Sequence, residues 1–384
     1  MKKPLLIVII ILVVLLALPV INLLRWTFQP KKPMEILIVN KTVPDFERVK
    51  HKSLSWILTQ NRFVKKEKKT SYSFRKDYLG FIPLRPQKER LYTKNDIRMA
   101  EVIEVAEKND AVYFTDTYGV FFNDWYQGIN KSRRSRKLYG GLNNIDNFVI
   151  KEMKDRQKLV ILEYNAFDYP TAEYESYRIQ ERLGIKFSGW TGKYFSSLDT
   201  LSKDFPVWMT AMYRRQYKKP WTFDKPGIVL LRDRSIIILE EGIHLNNPLV
   251  EIFTDSAYCA KYNLPPVIAF GEWFDIIDPR GNNVISSFRL ATTTMADSLL
   301  MNYGLDNTFP AVTQDPEFQT TYYFSGDFTT TDIPAWTSKV KGYDKLKGIL
   351  YSKKHNDFRR FFWLYYKPLI SGIFNDYYNS LTAK

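Results

Sequence analysis

Residues 158–168 read Lys-Leu-Val-Ile-Leu-Glu-Tyr-Asn-Ala-Phe-Asp. An apolar run with β-branched centre, bounded by charge, predicts a strand buried on both faces. The same signal recurs upstream at Glu35-Ile-Leu-Ile-Val-Asn40 and at Asp110-Ala-Val-Tyr-Phe-Thr115. Helical spacing separates these runs: Leu54, Ile57 and Leu58 within 53–63, then Ile97, Val102, Val105 and Ala106 within 95–108, then 145–156. A further helix over 172–183 stops at Gly184, a residue that takes the left-handed conformation closing many helices. Strand and helix alternating at these intervals predict an α/β fold, a parallel sheet with helices on both faces and pockets beyond the carboxyl ends of the strands. The stretch 65–92 carries Pro83 and Pro86 and reads as an irregular basic insertion.

The second half carries more strand signal. Gly227–Arg232 and Ser235–Glu240 flank Asp233-Arg234 as a hairpin. Val267–Phe270 and Trp273–Ile277 lead to the turn residues Asp278-Pro-Arg-Gly-Asn-Asn283, and the chain returns through 284–290. Gly189-Trp-Thr-Gly192 reads as a turn. A helix is expected over 295–305, a strand over 321–325, and a long aromatic helix over 356–381, interrupted by Pro368.

Charge is concentrated at one end. Of a net +15, residues 1–99 contribute +14, from 21 Lys/Arg against 7 Asp/Glu. Next to this excess, Pro4 to Leu24 has no charge across 21 residues. A helix of that length spans the roughly 30 Å hydrocarbon core of a bilayer. Lys2 and Lys3 precede it, and Trp26 and Phe28 follow where aromatic rings prefer the interface. The expectation is a single-pass anchor in the cell membrane through 4–24, with the large domain extracytoplasmic. The basic zone 31–99 then faces anionic lipid or an anionic polymer. Nucleic acid is the less fitting partner for a basic block beside an apolar span. With one cysteine (Cys259) and three histidines (His51, His244, His355), an intramolecular disulfide is excluded and no metal site is expected. No glycine-rich nucleotide loop and no G-x-S-x-G elbow occur, and no cofactor is expected.

The order of elements, with a strand turning sharply at Glu163-Tyr-Asn-Ala-Phe167, resembles class I glutamine amidotransferase-like domains, which have a flavodoxin-like fold. The resemblance covers roughly residues 35–240; with the uncharged run before it and the strand-rich part after it, the expected division is a membrane anchor (1–30), a flavodoxin-like domain (31–240) and a strand-rich extension ending in the aromatic helix (241–384). It also implies a cysteine at the elbow and a His-x-Glu pair. Neither is present: the elbow holds Asn165, and His244 is followed by Leu245 and Asn246. Cys259 lies in Ser-Ala-Tyr-Cys-Ala-Lys261, without flanking glycines, and reads as an inert thiol. A member that has lost amide transfer is the implied state.

Two functions follow as expectations. One is a non-catalytic binding or interaction module at the membrane surface, in cell-envelope processes, with Asp116, Tyr118, Glu163, Asn165, Glu241 and His244 as binding candidates. The other is a tethered hydrolase of cell-surface glycan using paired carboxylates, with Glu163, Asp116 and Glu240 as candidates and Asp168, Asp275 and Asp327 as further strand-end acids. Convergence of Glu163, Asp116 and Glu240 in one cleft favours the enzyme. Acids that each face a cation favour binding.

Overall fold

A computed structural model describes residues 17–84, 89–126, 135–202 and 204–383. After a helix over 17–27, the chain forms β1 (Ile36–Asn40), α1 (Val49–Gln60), β2 (Leu79–Pro83), β3 (Tyr92–Asn95), α2 (Val102–Lys108), β4 (Ala111–Asp116), α3 (Asn144–Asp155), β5 (Leu159–Glu163) and α4 (Glu173–Leu183). There follow β6 (Lys186–Phe195), α5 (Trp208–Tyr217), β7 (Gly227–Arg232), β8 (Ser235–Glu240), β9 (Leu245–Thr254), α6 (Ser256–Tyr262) and β10 (Val267–Phe270). The last elements are β11 (Phe274–Asp278), β12 (Asn283–Thr292), α7 (Thr294–Met301), β13 (Thr308–Gln314), β14 (Thr321–Phe324) and α8 (Lys367–Thr382).

Ten strands form one mixed sheet in the order β10-β9-β12-β13-β14-β5-β4-β1-β2-β3. Its centre is parallel: β14, β5, β4, β1 and β2 all run the same way. Four more strands form an antiparallel sheet, β8-β7-β6-β11. The parallel strands alternate faces. Tyr113 and Ile161 point into a core shared with Leu54, Ile57 and Phe374, from α1 and α8. Val112, Phe114, Val160 and Leu162 point into a second core with Ala106, Val149 and Ile179, from α2, α3 and α4. Helices therefore cover both faces of the sheet's centre, and the period-2 pattern sets which residues reach its edge.

Several expectations need correction. The supposed insertion over 65–92 supplies β2, a parallel neighbour of β1; Pro83 is tolerated because it ends the strand beside the edge strand β3. The helix expected over 95–108 is only the one from 102, after a strand and a short 3₁₀ turn. Gly189–Gly192 is no turn but lies inside β6, where Gly192 lets Phe274 pack against the strand. Residues 274–278 and 283–290 do not pair; the turn between them crosses from the small sheet to the large one. The terminal helix is scarcely broken by Pro368. A π-turn at Phe362–Tyr366 precedes it and absorbs the missing N–H.

Residues 4–16 of the expected span lie outside the described residues. Residues 17–27 are helical, and no helix among the described residues is long and apolar enough to cross a membrane.

Candidate functional site

The carboxyl ends of the parallel strands converge. Asn40, Asp116 and Glu163 end β1, β4 and β5, and Ser325–Asp327 follows β14. A register shift between Val39 and Asn40 re-aims the end of β1. Beyond it α1 begins, and its Lys50 reaches back over the edge.

Lys50 is the hub. Its Nζ lies 3.2 Å from Asp116 Oδ2, donates to Thr330 Oγ1 at 2.9 Å, and makes a close ion pair with Asp327. Both acids are nearly fully buried, whereas about 24% of the Lys50 side chain is exposed. Burial opposes the lysine's charge, but Asp327 and Asp116 outweigh it and hold the ammonium above its ordinary range. Asp116 Oδ1 accepts from the Thr42 hydroxyl at 2.6 Å and the Tyr118 amide at 2.9 Å. Burial still raises its carboxyl above the usual range, against the pull of Lys50.

Glu163 is held differently. It accepts from the Tyr113 hydroxyl, and its Oε2 accepts from the Thr329 amide and hydroxyl at 3.2 and 3.0 Å. Burial, with the nearby Asp327 charge adding to it, pushes its carboxyl well above the usual range, against the hydrogen bonds from Tyr113 and Thr329.

The turn after β5 sits at the expected elbow. Asn165 has φ of 69°, a left-handed conformation unusual for a residue other than glycine, and is buried. Its amide donates to Asp275 Oδ2 at 3.0 Å, and its carbonyl accepts from Thr117 at 2.8 Å. Asp275 arrives from the small sheet on β11 and is fully buried. Its Oδ2 also accepts from Tyr323 at 2.6 Å, while Oδ1 has no partner among the described residues. Burial raises its carboxyl to about 7. Tyr164 stands amid Asp275, Asp327, Asp116 and Asp168, and burial first, then these acids, raises its phenol well above the ordinary value.

Beside the hub opens a cleft of about 160 Å³. Phe270, Phe328, Phe358 and Phe361 wall it, and Glu272, Asp327, Thr330, Thr331 and Arg359 supply polar groups. Gly271 and Gly326 allow the walls to close up: a Cβ at Gly271 would lie 2.7 Å from Phe358, and one at Gly326 2.4 Å from Phe328. The polar chemistry at this edge is mainly that of oxygen acceptors: Asp116 and Asp327, which share Lys50, together with Glu272, Thr330 and Thr331. It suits a ligand that presents hydroxyl or ammonium donors.

Of the expected residues, Asp116, Tyr118, Glu163 and Asn165 meet at this edge. Glu240, Glu241 and His244 do not, because they end the outermost strand of the small sheet. There Glu240 Oε1 accepts the amides of Asp224 and Lys225, and His244 Nδ1 accepts the Glu240 amide. Burial lowers the His244 imidazole's affinity for protons. Cys259 is half-buried on α6, where burial raises the thiol. No group of three or more His, Cys, Asp or Glu among the described residues is placed to hold a metal ion. Lys50 and the Thr329–Thr330 pair escaped sequence reasoning: Lys50 is camouflaged in the basic N-terminal zone, and the threonines carry no motif. Comparison with protein-family models, with curated proteins and with solved structures finds no match.

Proposed function

We propose that the chain is a membrane-tethered binding module whose carboxyl-edge cleft holds a hydroxyl- or ammonium-bearing ligand without turning it over. The observation that carries this reading is the internal pairing of the edge: Asp116 and Asp327 close on Lys50, Glu163 is closed by Tyr113 and Thr329, and an asparagine occupies the elbow. By chain position the parallel strands run second, first, third, fourth, fifth, the order of flavodoxin-like sheets. That order supports the likeness to class I glutamine amidotransferase-like domains with the nucleophile lost. The uncharged run 4–24 and the exposed apolar side chains Leu18, Val20, Ile21 and Leu24 support the tether.

A second reading, a glycan hydrolase through paired carboxylates, draws on Asp116 and Glu163 ending neighbouring strands at this edge, with Asp275, whose carboxyl burial raises to about 7, behind the elbow. One experiment separates the two. Full-length protein is titrated with amino-sugar oligosaccharides released from cell-wall digests, and new reducing ends are assayed in parallel. The binding reading expects saturable binding, weakened at least about tenfold by Asp327→Asn, with no product. Product that disappears in Asp275→Asn overturns it in favour of the hydrolase. A reporter fused after Lys384 tests the side of the membrane.

A further inference from the structure

We infer that the domain is held on the bilayer in one fixed orientation, with the surface around Trp336 and Ile349 seated in an anionic lipid interface and the carboxyl-edge cleft turned away from it. This rests on the tether proposed above.

The junction between the N-terminal helix and the domain is fastened. Trp26 is buried, its indole N–H donates to the Thr59 carbonyl at 3.1 Å, and the Arg62 guanidinium stacks 4.2 Å from its ring. Arg62 also donates to the carbonyls of Thr27 and Gln29, and the amides of Lys32 and Met34 bond to Arg62 and Val64. These bonds fasten residues 26–34 to α1 and the strand after it, so the helix over 17–27 leaves the domain in a set direction. It leaves from the amino edge of the sheet. Thr59 lies near the end of α1, and Lys50, at the cleft, near its start. Nine residues of helix put the two about 14 Å apart along the axis.

The segment after β14 traces the same path. Ser53 donates to the Thr329 carbonyl at the cleft end of α1, and Trp56 donates to Thr337 further along. The chain then meets the N-terminal helix, where the Lys341 amide donates to the Asn22 carbonyl at 3.2 Å. Here, at the level where the uncharged run ends, Trp336, Leu346 and Ile349 are 69%, 45% and 77% exposed. Lys341, Lys345 and Lys347 stand exposed among them. Apolar and indole side chains interleaved with lysines match an interface of acyl chains and anionic headgroups. The charge sign and the exit of the apolar helix select lipid as the occupant.

The test uses the full chain in phosphatidylcholine vesicles doped with phosphatidylglycerol. With Cys259→Ser as background, an environment-sensitive fluorophore is placed at Ile349→Cys or at Tyr118→Cys on the opposite edge. The expected result is a blue shift and quenching by nitroxide lipids at 349 and neither at 118, with quenching reduced when Lys341, Lys345 and Lys347 become glutamate. Near-ultraviolet circular dichroism verifies that each variant is folded. Protein that resists alkaline carbonate extraction while position 349 stays unquenched overturns the orientation and leaves the tether intact. Protein that washes off the vesicles overturns the tether and this inference with it.

Discussion

Asp275 and His51 are buried ionisable groups whose surroundings favour the neutral form, and they give stability opposite slopes with pH. The Asp275 carboxyl, raised to about 7, keeps its proton in the fold after the unfolded chain has released its own. Stability therefore falls as pH rises from the ordinary carboxylate range to about 7, and the full cost stands above it. Asp275→Asn should raise the melting temperature, by more at about pH 8 than at about pH 5, since each pKa unit is worth roughly 1.4 kcal/mol. Equal gains at both pH values would remove the protonation argument. His51 is the reverse case. Its Nδ1 accepts from Asn40 and its Nε2–H donates to the Phe74 carbonyl, both at 2.6 Å, which fixes a neutral tautomer. Burial lowers its pKa to about 4, so this group costs stability as pH falls from about 6.5 towards 4. Nitrogen-15 NMR should find the ring neutral at about pH 5 in the folded protein; an imidazolium signal there contradicts the assignment. Lys50→Met leaves Asp116 and Asp327 buried without their cation, and urea unfolding should register a loss of about 3–5 kcal/mol. Asp116→Asn combined with Lys50→Met should recover part of that loss.

Among the elements, β1 and β2 show how little backbone the site leaves free. Gly80 in β2 has φ of 131°, and a Cβ there would lie 1.9 Å from the Asn40 carbonyl oxygen. That contact is backbone against backbone, at the strand end from which Thr42 and Lys50 are launched. Gly80→Ala should cost about 2–4 kcal/mol, seen as a lowered denaturation midpoint, and weaken the cleft with it; an unchanged midpoint refutes the close approach. Sequence reading found β1, β4, β5 and β14, because apolar runs on a sheet's centre line are continuous. It missed β2, because a strand beside the edge is shorter, pairs through few residues and carries the Pro that central strands exclude.

The whole molecule binds distant segments to one edge. Asp275 comes from the small sheet, Asp327 from the loop after β14, and Tyr366, which meets the Tyr113 hydroxyl at 3.0 Å, from the terminal helix region. Glu163 depends on Thr329, and β5 on its pairing with β14. A chain ending after Glu240 should therefore not fold alone, shown by collapsed amide dispersion in its NMR spectrum. A well-dispersed spectrum from that fragment demonstrates independence of the first segment. The sequence by itself determined the alternation of strand and helix, the acids at the strand ends, the asparagine at the turn after β5 and the uncharged run 4–24, because each is written in local spacing and residue type. Only the tertiary structure decided that Asp116 and Asp327 share Lys50, that Asp275 backs the elbow, and that Glu240 and His244 stand apart. Those pairings join residues up to 277 positions apart; their energies depend on burial and register, which appear only when the chain has closed.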